Sequence, residues 1–250
     1  MDVIVPDWVD VPANVAAFST LRRGGVSHAP YDDVAGSGGM NLGTHVGDNP
    51  DDVRLNRALL RTLLPAEPAW LNQVHGITVV DAATAAGSPD ADASIATEPG
   101  VVCVIQTADC LPVLLCDSSG RVVGAAHAGW RGLVGGVLEN TVARMRNAGA
   151  DDIVAWLGPA IGPQTFEVGE DVVTAFTQRD MAMRSAFVAI PSRPGKYLAD
   201  IYRLARMVLG KVGVSKVDGG GFCTVNDKDR FYSYRRDRVT GRMASLIWLK

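Results

Sequence analysis

Apolar residues in this chain fall into short runs divided by turn signals, and the spacing inside each run predicts the element it forms. The clearest pair is PVLLCD (112–117) and RVVGAAHA (121–128). Asp117-Ser118-Ser119-Gly120 divides them, the pattern expected of two adjacent buried strands. Val15 to Thr20, Val101 to Gln106, Ile153 to Leu157 and Met243 to Leu249 are further expected strands, as are Trp70 to Gln73, Ile77 to Asp81 and Phe231 to Asp237. Helical spacing occurs at Leu55, Leu59 and Leu63 within Asp51 to Leu64, where Asn49 or Asp51 can cap the start and Pro65 follows the end. It recurs as one stripe through Leu133, Val134, Val137, Leu138, Val142 and Met145. Gly135 and Gly136 weaken that helix by about 1 kcal/mol each relative to Ala. Glu170 to Phe176 and Leu198 to Leu209 read as two more helices. Strands and helices are interspersed without regular alternation, so the expected fold is α+β, a mixed sheet core with outer helices in a single domain.

Composition narrows the function classes. With 250 residues and 47% of them hydrophobic, the chain can bury a full core. The net charge is -3 and the basic residues form no long run, so no nucleic-acid partner is expected. No apolar stretch approaches the roughly 20 residues that span a bilayer, and MDVIVPDWVD lacks the regions of a signal peptide. The expected location is therefore cytoplasmic, away from the membrane. The four cysteines have no CxxC spacing, which argues against a zinc ribbon or a disulfide framework. Oligomeric state is not readable; a monomer is the default reading.

Chemistry concentrates around the paired runs. Cys110 precedes the first and His127 lies near the end of the second, so a hairpin would bring thiol and imidazole to one rim of the sheet. Such a pair is either a nucleophile with its base or part of a metal site. His75, in the turn-like segment Asn72 to Gly76, would make a third ligand and leave a fourth position open for water. The spacing matches no local zinc motif, so a metal site, a Cys-His nucleophile acting on an amide, and plain core residues all stay open. A multicopper oxidase needs a trinuclear cluster as well as a mononuclear copper, and four histidines cannot furnish imidazoles for both. Arg22, Arg23 and Arg131 are candidate oxyanion clamps, because guanidinium offers a fork of donors. Asp109 adjoins the thiol and is a candidate base or hydroxyl-orienting carboxylate. Asn41 and His45 share a segment dense in polar groups, and Gln73 stands two residues before His75. Trp130 is either a stacking surface for a base or a core residue.

The segments STLRRGGVS, NLGTHVGD, LNQVHG, QTADCLPVLL, HAGWRGL, LGPAIGPQTFEVG and FYSYRRD followed by TGRMASLIWL resemble the motif series of the bacterial laccase-domain family. That family is also called polyphenol oxidase-like or peptidoglycan editing factor and is described as purine nucleoside phosphorylases. The resemblance runs nearly from end to end. It implies α/β/β/α layers in one domain, with two mixed sheets, and zinc on His75, Cys110 and His127. It also implies phosphorolysis of adenosine, inosine and methylthioadenosine to base and pentose 1-phosphate, with adenosine deamination besides. The family's arginine falls on Arg22, which becomes the first expectation for the phosphate clamp, with Arg131 second. Copper would load such donors in some preparations, because Cu(II) binds them more tightly than zinc does. Other readings are a Cys-His amide hydrolase acting on cell-wall precursors and a copper polyphenol oxidase. One departure from the family pattern stands out: Val34 to Met40 intervene between Pro30-Tyr31-Asp32 and Asn41-Leu42-Gly43.

Overall fold

The two runs flanking Asp117-Ser118-Ser119-Gly120 do pair as an antiparallel hairpin, and the rest of the chain is laid against it. The computed structural model describes residues 2–250. In chain order the first half contains β1 (Val3–Ile4), β2 (Val15–Thr20), β3 (Arg23–Ser27), α1 (Pro50–Arg61), β4 (Val79–Asp81), β5 (Ala93–Ala96), β6 (Val102–Thr107), β7 (Leu111–Asp117) and β8 (Val123–Ala128). The second half contains α2 (Trp130–Gly135), α3 (Val137–Asn147), β9 (Ile153–Leu157), β10 (Glu167–Gly169), α4 (Glu170–Arg179), β11 (Phe187–Ala189), β12 (Lys196–Ala199), α5 (Ile201–Lys211), β13 (Lys216–Gly219), α6 (Tyr234–Asp237) and β14 (Met243–Leu249).

Side chains alternate across a strand, and here both faces of the hairpin are covered. Leu114 and Cys116 of β7, with Val123 and Ala125 of β8, pack on Cys103, Ile105, Ile247 and Leu249 of a second sheet. Val113, Leu115, Ala126 and Ala128 face the other way, onto Leu133, Val137, Leu138, Val142 and Phe176 from α2, α3 and α4. Each fully buried Val or Leu contributes about 1.5–3 kcal/mol. The hairpin belongs to a six-stranded sheet, β13-β9-β7-β8-β5-β4, in which β4–β5 and β9–β13 are the parallel pairs. The second sheet, β1-β2-β14-β6, is antiparallel throughout rather than mixed. Its outer face packs Phe18, Val102, Val104 and Leu246 against Leu60, Leu64 and Trp70 beside α1. The layers are thus α/β/β/α, with a small antiparallel sheet, β10-β12-β11, added near α4. No helix among the described residues is long and apolar enough to cross a membrane.

Expectations for individual elements also change; Leu198, read as helical, lies in β12, and α5 begins at Ile201. In α1 the stripe Leu55, Leu59 and Leu63 faces outward, 49%, 43% and 47% exposed, while Val53, Asn56 and Leu60 face in. The buried Asn56 amide sets this rotation: it donates to Ser27 Oγ, Gly39 O and Asn41 O and accepts from Val26 N. A lost buried polar bond costs more than a half-exposed Leu does. The stripe from Leu133 to Met145 is two helices, because Gly136 turns left-handed at φ 111° and separates α2 from α3. Trp70 to Gln73 is no strand: it has one isolated bridge, Asn72 to Asp90, and another, Ala69 to Cys103, just precedes it. Phe231 to Asp237 is no strand. Phe231 and Tyr232 are buried, and Ser233 caps the single turn of α6 by accepting from Arg236 N.

Candidate metal centre and its pocket

Cys110 ends the loop entering β7, and His127 sits in β8 opposite Pro112, so the antiparallel register places both at one rim of the sheet. His75 reaches the same rim from a tight turn in which its φ is 60°. A left-handed non-glycine residue costs about 1–3 kcal/mol and persists only where its surroundings hold it. Asp92 does the holding. Its fully buried carboxylate accepts from Val74 N at 3.2 Å, His75 N at 3.0 Å and Gly76 N at 2.6 Å. The same carboxylate lies 2.7 Å from His127 Nδ1. An acceptor there makes Nδ1 the protonated nitrogen and leaves Nε2 free for a metal.

The donor atoms of His75, Cys110 and His127 all lie within 4.8 Å of one another, with Cys110 Sγ 3.7 Å from His75 Nε2. The space among them is kept clear by Gly129. A Cβ at that position would stand 3.0 Å from Cys110 Sγ and His75 Cδ2 and 3.5 Å from His127 Nε2. Two imidazoles, one thiolate and a cradle that any side chain would fill suit a zinc-type ion with one position open. Burial alone would push the Cys110 thiol up, but the charge and hydrogen bond of His127, joined by His75, carry its pKa well below the usual thiol value. His127 moves the opposite way: burial lowers it, and Cys110 and Asp92 more than reverse this. The thiolate, the form that binds metal, is therefore favoured at this rim.

A cavity of about 480 Å³ opens beside the cluster. Of the expected site residues, His45, Gln73, His75, Asp109, Cys110, His127 and Arg131 all line it, as does Trp130. Arg22 and Asn41 are not on its wall. The Arg22 guanidinium donates to Asp32 O and Lys228 O and lies over the Tyr232 ring, so its fork is occupied by the chain itself. Asn41 is buried and accepts from Arg242 N at 2.9 Å, so it places the start of β14. Asp109 accepts from Thr224 Oγ1 and Arg235 N, both at 2.6 Å. The Gln73 amide is bonded at both ends to the backbone of Gln106. His45 is pushed toward its neutral form, first by burial and then by the charges of Arg242 and Arg57.

A family model described as multi-copper polyphenol oxidoreductase laccase matches residues 16–250. The chain belongs to this laccase family. The Pseudomonas aeruginosa protein named purine nucleoside phosphorylase PA4543 is 54% identical over 251 residues, 99% of this chain and 98% of that protein. The Escherichia coli protein named purine nucleoside phosphorylase YfiH is 51% identical over 250 residues, 99% of this chain and 98% of that protein. The crystal structure of Neisseria meningitidis protein NMB0706 covers 100% of both chains with a TM-score of 0.91 at 50% identity. YlmD from Geobacillus stearothermophilus aligns with a TM-score of 0.81 at 31% identity, over 95% of this chain and 93% of that one. The copper in the family's description has one cluster of three donors to consider among the described residues, and neither His28 nor His45 is in it.

Several wall residues of this laccase-family chain were not singled out in the sequence. Arg242, Arg235, Arg238 and Tyr234 reach the cavity from the C-terminal segment, and all but Arg238 fall within the family motifs FYSYRRD and TGRMASLIWL without being given a role there. Asp92 was visible only as an acidic residue before a strand. Gln106 is 7% exposed, and its Oε1 has no hydrogen-bond partner. A bare buried acceptor costs about 1–3 kcal/mol, and the residue that carries it lines the cavity.

Proposed function

We propose that this protein is a zinc-dependent purine nucleoside phosphorylase acting in the cytoplasm. Its substrates would be adenosine, inosine and methylthioadenosine with phosphate, its products the base and pentose 1-phosphate, and adenosine deamination would occur at the same centre. One observation carries the reading: three metal donors around a glycine-cleared space at the edge of a cavity whose wall holds several arginines. The names given to the Pseudomonas and Escherichia relatives support it.

His75, Cys110 and His127 would hold the metal, with His127 aimed by Asp92. A zinc ion there supplies Lewis-acid polarisation and lowers the pKa of water. The chain's own residues do the rest. Phosphorolysis needs an anion held against the sugar and a departing purine stabilised by hydrogen bonds. Arg131, stacked on Trp130 at 4.5 Å, lines the cavity beside an aromatic face on which a base can lie. His45, favoured as a neutral imidazole, can donate from one ring nitrogen and accept at the other. Asp109 holds Arg235 through its backbone and keeps a carboxylate near the reacting centre. Arg22 and Asn41 act by positioning, Arg22 by tying the 32 and 228 carbonyls together and Asn41 by fixing Arg242.

The test is elemental analysis of protein purified without added metal, beside phosphate-dependent base release from adenosine by the wild type and His75→Ala. About one zinc per chain, with metal and base release both lost in the variant, is expected. Metal-free protein that releases no base but cleaves an amide would move the assignment to a Cys110-His127 hydrolase.

A further inference from the structure

The phosphorolytic reading requires an oxyanion site, and Arg22 is already engaged with its own chain. The wall contributed by the four-stranded sheet offers another. β14 pairs with β6 so that Ala244 lies opposite Gln106 and Met243 opposite Thr107. Residues two apart share a face, so Arg242 and Gln106 are diagonal neighbours on one side of this pair, and both line the cavity.

Their hydrogen-bonding groups are left over in complementary ways. Arg242 donates from Nη1 to Thr240 O at 3.1 Å and Gly241 O at 3.0 Å. Among the described residues its Nε and Nη2 have no protein acceptor, and no ion pair includes it. Burial weakens its charge more than the nearby Cys110 and Asp109 restore it, yet a guanidinium stays protonated. A partly buried cation without a counter-ion beside a cavity calls for an anion. Gln106 adds the second observation. The residue is more than nine-tenths buried, its Oε1 is enclosed, and its Nε2 donates to no acceptor among the described residues, although the neighbouring Gln73 amide is paired at both ends. A carboxamide offers one acceptor and two donors.

We propose that Arg242 and Gln106 form the binding site for inorganic phosphate, Nε and Nη2 of the guanidinium holding two P–O oxygens while the Gln106 carboxamide donates an N–H to the same oxyanion. Asn41 positions the subsite by fixing Arg242 N.

The experiment uses metal-loaded protein. Inorganic phosphate and sulfate are titrated separately into wild type, Arg242→Lys, Arg242→Met, Gln106→Met and Arg22→Lys by calorimetry, and the KM values for phosphate and for inosine are measured in parallel. Arg242→Met should weaken phosphate binding and raise its KM roughly 10- to 100-fold, as expected for loss of charge-assisted bonds, with the KM for inosine little changed. Arg242→Lys should fall between, and it keeps the test alive if the methionine variant does not fold. Gln106→Met should weaken the binding of phosphate and of sulfate alike, by less than Arg242→Met does. Ribose 5-phosphate, which presents the same oxyanion on a larger body, should bind more weakly than inorganic phosphate. Unchanged phosphate constants in both Arg242 variants and in Gln106→Met would overturn the site, as would tighter binding of the sugar phosphate or a loss confined to Arg22→Lys. Phosphate binding that depends on Arg242 in a protein that releases no base would instead leave this site standing and sink the phosphorylase reading.

Discussion

Gly129 lies so close to Cys110 that a Cβ on the glycine would stand 3.0 Å from the thiol sulfur. The glycine is not there for its backbone, since its φ of -57° and ψ of 153° suit any residue. It is there for the space. Gly129→Ala should therefore fold with nearly wild-type melting behaviour yet bind zinc more weakly, on the order of 10–100-fold. Competition with a chromophoric chelator measures this, and an alanine variant with wild-type zinc affinity would remove the cradle argument.

Asp92 serves both histidines of the candidate centre, one through the backbone of its turn and the other through Nδ1. Asp92→Asn keeps the shape but offers His127 an amide in place of a carboxylate, so zinc affinity should fall while the fold persists. Asp92→Ala strips acceptors from Val74 N, His75 N and Gly76 N and should cost about 3 kcal/mol or more in urea unfolding. Equal metal affinity in the asparagine variant would count against its orienting role.

Thiol alkylation near neutral pH separates ligation from nucleophilic chemistry. Chelated protein should label at Cys110, and restoring zinc should protect it. Cys103 and Cys116 should stay unlabelled in both cases, since burial pushes each thiol up to about 12. The partly exposed Cys223, lowered by hydrogen bonds from Thr165 and nearby amides against the effect of burial, should label with or without metal. Peptide mapping reads out the sites; a Cys110 that labels equally fast with zinc present would argue against ligation.

The turn of the central hairpin depends on Asp117, whose buried side chain accepts from Ser119 Oγ, Arg121 Nε and Asp151 N. Burial alone would raise its pKa, but these bonds bring it below the ordinary carboxylate value. The unfolded chain therefore binds the proton first as pH falls. The stabilisation is present above the unfolded value near about 4 and is lost as pH drops through the lower folded one. Asp117→Asn should cost about 1–3 kcal/mol at pH 7, and its difference from wild type should shrink below about pH 4. Urea titrations at the two pH values decide it; a gap that widens in acid would contradict the sign.

Local pattern was enough for the scaffold. Val15–Thr20 and Ile153–Leu157 are strands at the bounds that their apolar runs suggest, Met243–Leu249 likewise, and the hairpin that joins Cys110 to His127 follows from two runs and one turn. A strand's period of two and a turn's residue preferences act over a few positions, so the sequence alone reports them. The third ligand already lay beyond that reach: His75 was a candidate by residue type and was assigned only through the family's motifs. The α1 stripe shows the limit within one helix. Periodicity detects an apolar face, but Asn56 decided which face is buried, because its partners at Ser27, Gly39 and Asn41 come from elsewhere.

The cavity lay further still from what a sequence shows. Asp92 meets His127 across 35 positions, and Asn41 meets the backbone of Arg242 across 201. Phe231 to Asp237, read as a strand, became a capped turn because Phe231 and Tyr232 found places in the core, and that brought Tyr234 and Arg235 to the pocket. Residue types and local periods, then, determined the elements, the hairpin and the identity of the thiol and imidazoles. The chain's tertiary contacts decided which arginine faces the cavity, which carboxylate aims the ligands and which amide is left without a partner, because hydrogen bonding and burial between distant segments leave no periodic trace in the order of residues.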